Sequence, residues 1–230
     1  MRALVTGTSS GIGRAVAERL LADGWRVDGL DRAPATLAHE HFSAHGVDLT
    51  DADATEAAVT AALHAGPVQA WVHAAGVLHA APLGAMRAQD GVRMWALHVD
   101  AATRIADRLL PEMARAGTGR AVLIGSRVSA GFPGRSQYAA TKGALVALAR
   151  SWAAEVVAQG VTVNLVSPAA TDTPMLADPQ RTSSTPRLPP IGRLIRPDEV
   201  ASLVAYLLSD AAAAITGQDI AVCGGASLPR

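Results

Sequence analysis

The stretch Thr6-Gly7-Thr8-Ser9-Ser10-Gly11-Ile12-Gly13 joins a short apolar segment, Ala3 to Thr6, to an apolar-periodic run that reaches Asp23 before Gly24. This order predicts a buried strand, a glycine-rich turn and a helix. Glycines permit the sharp turn and let a pyrophosphate approach the backbone, while the helix N-terminus offers unpaired N–H groups and a favourable dipole. The stretch therefore predicts a dinucleotide site formed by Gly7, Ser9, Ser10, Gly11, Ile12 and Gly13.

An acidic residue follows the second predicted strand, Trp25 to Leu30. Asp31 stands 18 residues after Gly13. A carboxylate at this place accepts hydrogen bonds from a ribose diol and repels a 2′-phosphate, which favours NAD. Arg32 beside it can bind a phosphate, so NADP stays the alternative.

Strand and helix patterns alternate along the chain. The alternation predicts an α/β fold with a doubly wound parallel sheet, about seven strands and helices on both faces, as a single domain over residues 1–230. Ligands bind such sheets at the carboxyl ends of the strands. The predicted strands are Ala3–Thr6, Trp25–Leu30, Ala44–Val47, Val68–His73, Ala121–Ile124, Val161–Ser167 and Ile220–Val222, and the later helices are Asp51–Leu63, Asp90–Arg115, Tyr138–Gln159 and Asp198–Leu208.

The segment 169–197 holds six prolines and has no strand or helix pattern. A connection of that length is usually functional, so we interpret it as a substrate loop or lid.

Tyr138 and Lys142 lie four residues apart on a predicted helix and therefore share one face. A nearby ammonium lowers the pKa of a phenol because it favours the phenolate, and such a phenol can pass protons near neutral pH. Alone, the pair is more typical of an ordinary helix, because a tyrosine and a lysine occur at this spacing by chance on many helices.

Bulk composition excludes several classes of protein. The 230 residues carry 20 basic and 20 acidic side chains and no basic run, which argues against nucleic acid as a partner. No apolar run reaches the roughly 18 residues of a membrane span, and no signal peptide is recognisable. The single cysteine, Cys223, suits a reducing cytoplasm. The sequence predicts no metal site.

The chain resembles the main branch of the short-chain dehydrogenase/reductase family over nearly its whole length. The matching motifs are Thr6-Gly7-x-x-x-Gly11-x-Gly13, Asp48-Leu49, Ala75-Gly76, Ser126 with Tyr138-x-x-x-Lys142, Asn164-x-Val166-x-Pro168 with Thr171–Thr173, Arg196-Pro197-Asp198-Glu199, and Thr216-Gly217-Gln218 with Gly224-Gly225.

The resemblance implies a Rossmann-type fold and hydride transfer between a nicotinamide and an alcohol or carbonyl substrate. It implies that Tyr138 is the general acid or base, that Lys142 lowers its pKa and holds the nicotinamide ribose, and that Ser126 binds the substrate oxygen. Ser129 is a rival for that last role. Besides the glycine-rich turn, the implied cofactor contacts are Asp31, Arg32, Asp48, Leu49, Ala74, Ala75, Gly76, Tyr138, Lys142, Pro168, Ala169, Thr171 and Thr173.

Two positions depart from the family pattern. His73-Ala74-Ala75-Gly76 stands where Asn-Asn-Ala-Gly is usual. His98 falls at the position of the catalytic asparagine, whose role in a proton relay an imidazole can take because it both donates and accepts. The alternatives are a structural histidine, or an alignment shifted to Asp100.

The segments that form the substrate pocket in this family are here rich in cationic side chains and poor in aromatic ones. They predict a small polar or acidic substrate, such as a hydroxy or keto acid, a cyclic diol or a sugar-like alcohol. A ketoreductase of acyl-carrier-protein substrates and a non-catalytic dinucleotide sensor are the alternatives. Resemblance also implies a homotetramer or homodimer. The pocket residues named for this prediction are Arg127, Arg135, His79, Met175, Arg181 and Arg187.

Overall fold

The computed structural model describes residues 1–177 and 188–228. Arg181 and Arg187, together with the middle of the predicted substrate loop, lie outside the described residues.

Seven strands form one sheet in the order β3-β2-β1-β4-β5-β6-β7. Every neighbouring pair is parallel. The predicted parallel sheet is confirmed, with strand ends that move by at most two residues. The strands are β1 (Arg2–Thr6), β2 (Arg26–Asp31), β3 (Phe42–Gly46), β4 (Ala70–His73), β5 (Gly119–Ile124), β6 (Val161–Pro168) and β7 (Asp219–Val222).

Helices cover both faces of the sheet, because a parallel crossover returns the chain over one face or the other. The helices are α1 (Gly11–Ala22), α2 (Ala52–His64), α3 (Ala88–Trp95), α4 (Ala101–Ala116), α5 (Ser136–Val156), α6 (Pro174–Ala177) and α7 (Pro197–Leu208). A π-helical turn, Ala96–Asp100, joins α3 to α4, and 3-10 turns occupy Arg127–Ala130, Val157–Gln159 and Asp210–Ala212.

Two aliphatic cores lie on the two faces of the sheet, as the low aromatic content predicts. One packs α2, α4 and α5 around Trp71 and Leu145, both fully buried. The other packs α1 and α7 against the opposite face around Leu20 and Leu207. The small alanines of these helices let the backbones approach the sheet closely.

The carboxyl ends of all seven strands meet at one edge of the sheet. The chain order reverses between β1 and β4, and the loops there diverge to opposite sides. Such a switch point leaves a crevice, which is where doubly wound proteins bind ligands.

The predicted continuous helix Asp90–Arg115 is wrong in its middle, since the π turn Ala96–Asp100 interrupts it. A π turn changes the helical spacing by only part of a residue per turn, so the apolar periodicity hides it. The interruption carries His98 and sets the direction in which its side chain points.

Candidate active site

A cleft of about 400 Å³ opens at the carboxyl edge of the sheet. Loops after β1, β2, β3, β4, β5 and β6 form its walls, together with the first turns of α1 and α5. Of the predicted cofactor contacts, Ser9 alone does not line it; the others all do. Ser9 instead lines a smaller adjoining space beneath Asp31.

The glycine-rich turn is open to the cleft because two of its glycines have no room for a side chain. Gly7 has a φ of 78°, and a Cβ there would lie 2.9 Å from the Ala75 nitrogen. A Cβ on Gly13 would lie 2.2 Å from the Gly7 carbonyl oxygen. Helix α1 begins at Gly11 without a side-chain cap from Ser10, which leaves its first N–H groups for a ligand. This cradle fits a dinucleotide pyrophosphate.

The carboxylate of Asp31 is held in place by backbone donors. Its Oδ2 accepts from the Ser9 N–H at 2.9 Å, and its Oδ1 accepts from the Ala33 N–H at 2.9 Å. Arg32, exposed, lines the same end of the cleft. The end of the cradle where the sequence analysis places the ribose therefore holds the fixed Asp31 carboxylate beside the exposed Arg32 guanidinium.

Asp48 and Leu49 follow β3 at the far wall of the cleft. The Asp48 carboxylate accepts from the Thr50 N–H at 2.9 Å and from the Thr50 hydroxyl at 2.8 Å. The bond from the Thr50 N–H, and after it the bond from the Thr50 hydroxyl, hold the pKa of Asp48 below its usual value. The positive charge of Arg32 lowers this pKa further. Asp48 is therefore ionised at neutral pH.

Thr6 fixes the loop that follows β4. Its Oγ1 accepts from the Ala74 and Ala75 N–H groups at 3.0 and 3.1 Å, so its proton goes to His73 Nδ1 at 3.1 Å. The His73 ring is 1% exposed, and burial lowers its pKa to about 3. His73 thus takes a structural place under the cleft, and Thr6 is a residue that the sequence interpretation missed.

Ser126, Tyr138 and Lys142 line the cleft together. Ser126 follows β5 and accepts weakly from the Val128 N–H, at 3.4 Å. Tyr138 and Lys142 extend from the first two turns of α5. Ser129, the rival of Ser126, does not line the cleft.

Lys142 is 4% exposed, and its Nζ donates to the Ile124 carbonyl oxygen at 2.8 Å. Burial disfavours the charged amine and lowers its pKa to about 8. The Nζ lies 5.8 Å from the centroid of the Tyr138 ring. An ammonium at this distance favours the phenolate over the phenol.

His98 is fully buried behind the cleft wall and does not line the cleft. Its Nε2 accepts from the Val77 N–H at 3.0 Å, and its Nδ1 lies 2.8 Å from the Thr141 hydroxyl oxygen. Its ring meets the Tyr138 ring edge to face, with centroids 5.6 Å apart. Burial, together with the Lys142 charge, lowers the pKa of His98 well below its usual value.

The segment after β6 lies at the end of the cleft where the sequence analysis places the nicotinamide. Pro168, Ala169, Thr171 and Thr173 line it, as does Met175 in α6. The Thr173 methyl carbon lies 3.2 Å from the place of a Cβ on Gly11, so this segment closely approaches the glycine-rich turn.

Two cationic side chains, Arg127 and Arg135, line the cleft where the sequence analysis places the substrate. Both are partly buried. His79 and Asp100 do not line it; the His79 Nδ1 lies 3.9 Å from a carboxylate oxygen of Asp90.

The family model described as enoyl-(acyl carrier protein) reductase matches residues 7–227. A curated relative, the 3-oxoacyl-(acyl-carrier-protein) reductase FabG of Escherichia coli, is 35% identical over 97% of this chain and 96% of its own length. The chain belongs to the short-chain dehydrogenase/reductase family. Its predicted membership is confirmed, and with it the oxidoreductase class and nucleotide-binding fold.

Solved members of the family share the fold closely. The aldohexose dehydrogenase of Thermoplasma acidophilum, without ligand, aligns with a TM-score of 0.91 at 28% identity, over 100% of this chain and 94% of its own. The 3-ketoacyl-(acyl-carrier-protein) reductase of Brucella melitensis, complexed with NADH, aligns with a TM-score of 0.90 at 28% identity, over 99% of this chain and 98% of its own. An actinorhodin polyketide ketoreductase with NADPH aligns with a TM-score of 0.89 at 28% identity, over 99% of this chain and 97% of its own.

Family membership makes this chain an oxidoreductase with a nicotinamide dinucleotide as cofactor and a small molecule as substrate. Across residues 1–177 and 188–228, no helix has both the length and the apolar character needed to cross a bilayer.

Proposed function

We propose that this chain is a ketoreductase that interconverts a 3-oxoacyl group and its 3-hydroxyacyl form. The observation that carries the proposal is the end-to-end match to 3-oxoacyl-(acyl-carrier-protein) reductases, joined to a cleft that unites Ser126, Tyr138 and Lys142. The residue pattern alone favours a small polar or acidic substrate, whereas the relatives favour a 3-oxoacyl substrate.

Each of the three side chains has a role that its position supports. Ser126 donates its hydroxyl proton to the substrate oxygen, since its bond with the Val128 N–H uses the hydroxyl oxygen only as an acceptor. Tyr138 gives its phenolic proton to that oxygen during reduction, or takes it back during oxidation. Lys142 stabilises the resulting phenolate by its charge. A bound dinucleotide supplies or accepts the hydride at nicotinamide C4.

His98 contributes differently from the predicted relay. With both ring nitrogens engaged by Val77 and Thr141, it has no lone pair or proton for a water in the cleft. We propose that it positions Tyr138 and the loop after β4 instead of carrying protons.

Asp31 supports NAD as the preferred dinucleotide. Its carboxylate, fixed by Ser9 and Ala33, matches a ribose diol and opposes a 2′-phosphate. Arg32 provides the contrary attraction, which the Asp48 carboxylate partly offsets because the two charges interact.

A second candidate is the oxidation of a sugar-like alcohol. The high structural similarity to an aldohexose dehydrogenase favours it. The same Ser-Tyr-Lys chemistry serves both substrates, so only turnover distinguishes them.

The region 169–197 is proposed as the substrate loop, because residues 169–171 and 173–176 line the cleft. A homotetramer or homodimer is proposed from the family, and the exposed edge of β7 and exposed Trp95, at 45%, are surfaces that such contacts would cover. A cytoplasmic location stays a prediction.

The test is a substrate panel that compares the NAD and NADP cofactors. Acetoacetyl-coenzyme A and keto acids are assayed with NADH and NADPH, and hydroxy acids, cyclic diols and aldohexoses with NAD⁺ and NADP⁺. We expect acetoacetyl-coenzyme A to be reduced best. Tyr138→Phe should abolish turnover while dinucleotide binding is kept. Tyr206→Phe is the matched control, because Tyr206 is 46% exposed on α7 and should leave the rate unchanged.

Tight NADH binding without turnover of any compound would favour a dinucleotide sensor. Best turnover of an aldohexose would favour the second candidate.

A further inference from the structure

We infer that Arg127 binds an anionic oxygen group of the substrate, with Phe132 and Arg135 completing the subsite. The inference rests on the proposed ketoreductase and adds a substrate class to it: 3-oxoacyl compounds that carry a carboxylate or a phosphate.

The proposed subsite consists of two arginine side chains near one aromatic ring, that of Phe132. The Arg135 guanidinium carbon lies 5.0 Å from the Phe132 ring centroid, and that of Arg127 lies 5.9 Å from it. Guanidinium groups within about 6 Å of a ring centroid are attracted by its quadrupole. The Phe132 ring therefore attracts both guanidinium groups to the same part of the structure.

Arg127 has donors to spare. One of its Nη1 protons goes to the Ala226 carbonyl oxygen at 3.1 Å, which ties the C-terminal segment to the cleft. Within the described part of the chain, Arg127 forms no ion pair with a carboxylate. A guanidinium has five N–H donors, so most of those of Arg127 stay available for bidentate contact with an anion.

Charge is distributed unevenly along the cleft. Among the described residues that line it, the carboxylates are Asp31 and Asp48, both at the adenosine end. Arg127, Arg135 and the Lys142 amine stand at the substrate end. A cleft lined by one sign of charge concentrates ligands of the other sign.

The position of Arg127 limits where the anion sits. Arg127 follows Ser126 directly in the chain, so its side chain begins beside the group proposed to hold the reacting oxygen. The anionic group of the substrate must therefore lie either within the length of one arginine side chain from the substrate carbonyl, or further along the cleft wall that carries Arg127. The carboxylate of a 3-oxo acid satisfies the near position, and the phosphate of a pantetheine-type carrier satisfies the far one.

The experiment compares three compounds that share one keto group: acetoacetate, acetoacetyl-coenzyme A and neutral ethyl acetoacetate. Reduction is measured for the wild type, Arg127→Gln and Arg135→Gln, and acetoacetate binding to the NAD-bound proteins is measured by calorimetry. Arg26→Gln is the control, because Arg26 is exposed at the start of β2, at the opposite edge of the sheet. Thermal unfolding checks that each variant folds.

We expect Arg127→Gln to lower kcat/KM by about 10- to 100-fold for the anionic compound it recognises, the loss typical of a charge-assisted hydrogen bond, with ethyl acetoacetate little affected. A loss for acetoacetate assigns a carboxylate, and a loss for acetoacetyl-coenzyme A alone assigns a phosphate. Equal losses for all three compounds, or none, would overturn the inference.

The two proposals fail in different ways. If no compound is reduced, the ketoreductase proposal fails, while calorimetry still decides on the anion subsite. At least one of the two anions, acetoacetate for a carboxylate subsite or inorganic phosphate for a phosphate subsite, must then bind the wild type at least about 10-fold more tightly than Arg127→Gln. Absence of such binding to the wild type overturns the subsite even if ethyl acetoacetate is reduced well.

Discussion

His98 Nδ1 lies 2.8 Å from Thr141 Oγ1, and this bond joins the cleft wall to the helix turn that carries Tyr138. The Val77 N–H occupies Nε2, so in the neutral ring the proton is on Nδ1 and is donated to Thr141. Thr141 in turn donates to the Tyr138 carbonyl oxygen at 2.8 Å. One directed chain of hydrogen bonds thus runs from the loop after β4 to the backbone of Tyr138.

We expect Thr141→Val to lower the free energy of unfolding by about 1–3 kcal/mol, because the buried His98 Nδ1–H loses its acceptor. In a double-mutant cycle with His98→Ala, denaturant unfolding should show a coupling of about 1 kcal/mol. Thr103→Val is the control: its hydroxyl makes a similar bond to the Val99 carbonyl oxygen, but Thr103 is exposed. A Thr141→Val loss no larger than that of the control would contradict the directed chain.

Asp31→Asn should shift dinucleotide preference toward NADPH by about 10-fold or more, because it removes a charge that repels the 2′-phosphate. Fluorescence titration with NADH and NADPH measures the ratio. Asp51→Asn serves as the control. Asp51 caps helix α2, and an asparagine caps a helix equally well. The position lies away from the ribose end of the cleft. Preference of the wild type for NADPH would show that Arg32 outweighs Asp31.

The buried Lys142 predicts a pH dependence of stability. The pKa of Lys142 is about 8 in the folded protein, below its ordinary value of 10.5. Between pH 8 and pH 10.5 the unfolded chain therefore binds one more proton than the folded protein. Stability therefore rises with pH across that window, and the full cost of burying the ammonium is present below pH 8. Relative to Lys142→Met, the wild type should gain roughly 2 kcal/mol in unfolding free energy from pH 7 to 9.5. A constant difference across this range, measured by urea unfolding, would show that Lys142 is not desolvated.

Gly13→Ala should destabilise the protein by about 1–3 kcal/mol and weaken dinucleotide binding, because its Cβ would lie 2.2 Å from the Gly7 carbonyl oxygen. Gly46→Ala, in β3, provides the comparison: nothing lies within 4 Å of the added carbon, and its φ is not positive. Thermal unfolding and NADH titration should separate the two variants. Equal behaviour would mean that the turn relaxes around the added methyl.

Much of the fold was predictable because its signals are local. Strand and helix alternation gave the parallel sheet, and the spacing of Gly7, Gly11 and Gly13 marked the turn after β1. The continuity of the helix around His98 was predicted wrongly, since a π turn leaves little trace in the apolar pattern. The roles of Thr6 and Thr141 went unnoticed because their partners, His73 and His98, lie 67 and 43 residues away.

The sequence by itself determined the sheet, the cradle and the identity of the Ser-Tyr-Lys set, because each depends on residue types at short, fixed spacings. Only the tertiary structure decided that His98 faces inward with both nitrogens engaged, and that Arg127 and Arg135 both line the cleft and both approach the Phe132 ring. The direction of a side chain and the partners it meets depend on how distant segments pack, and no local pattern records that.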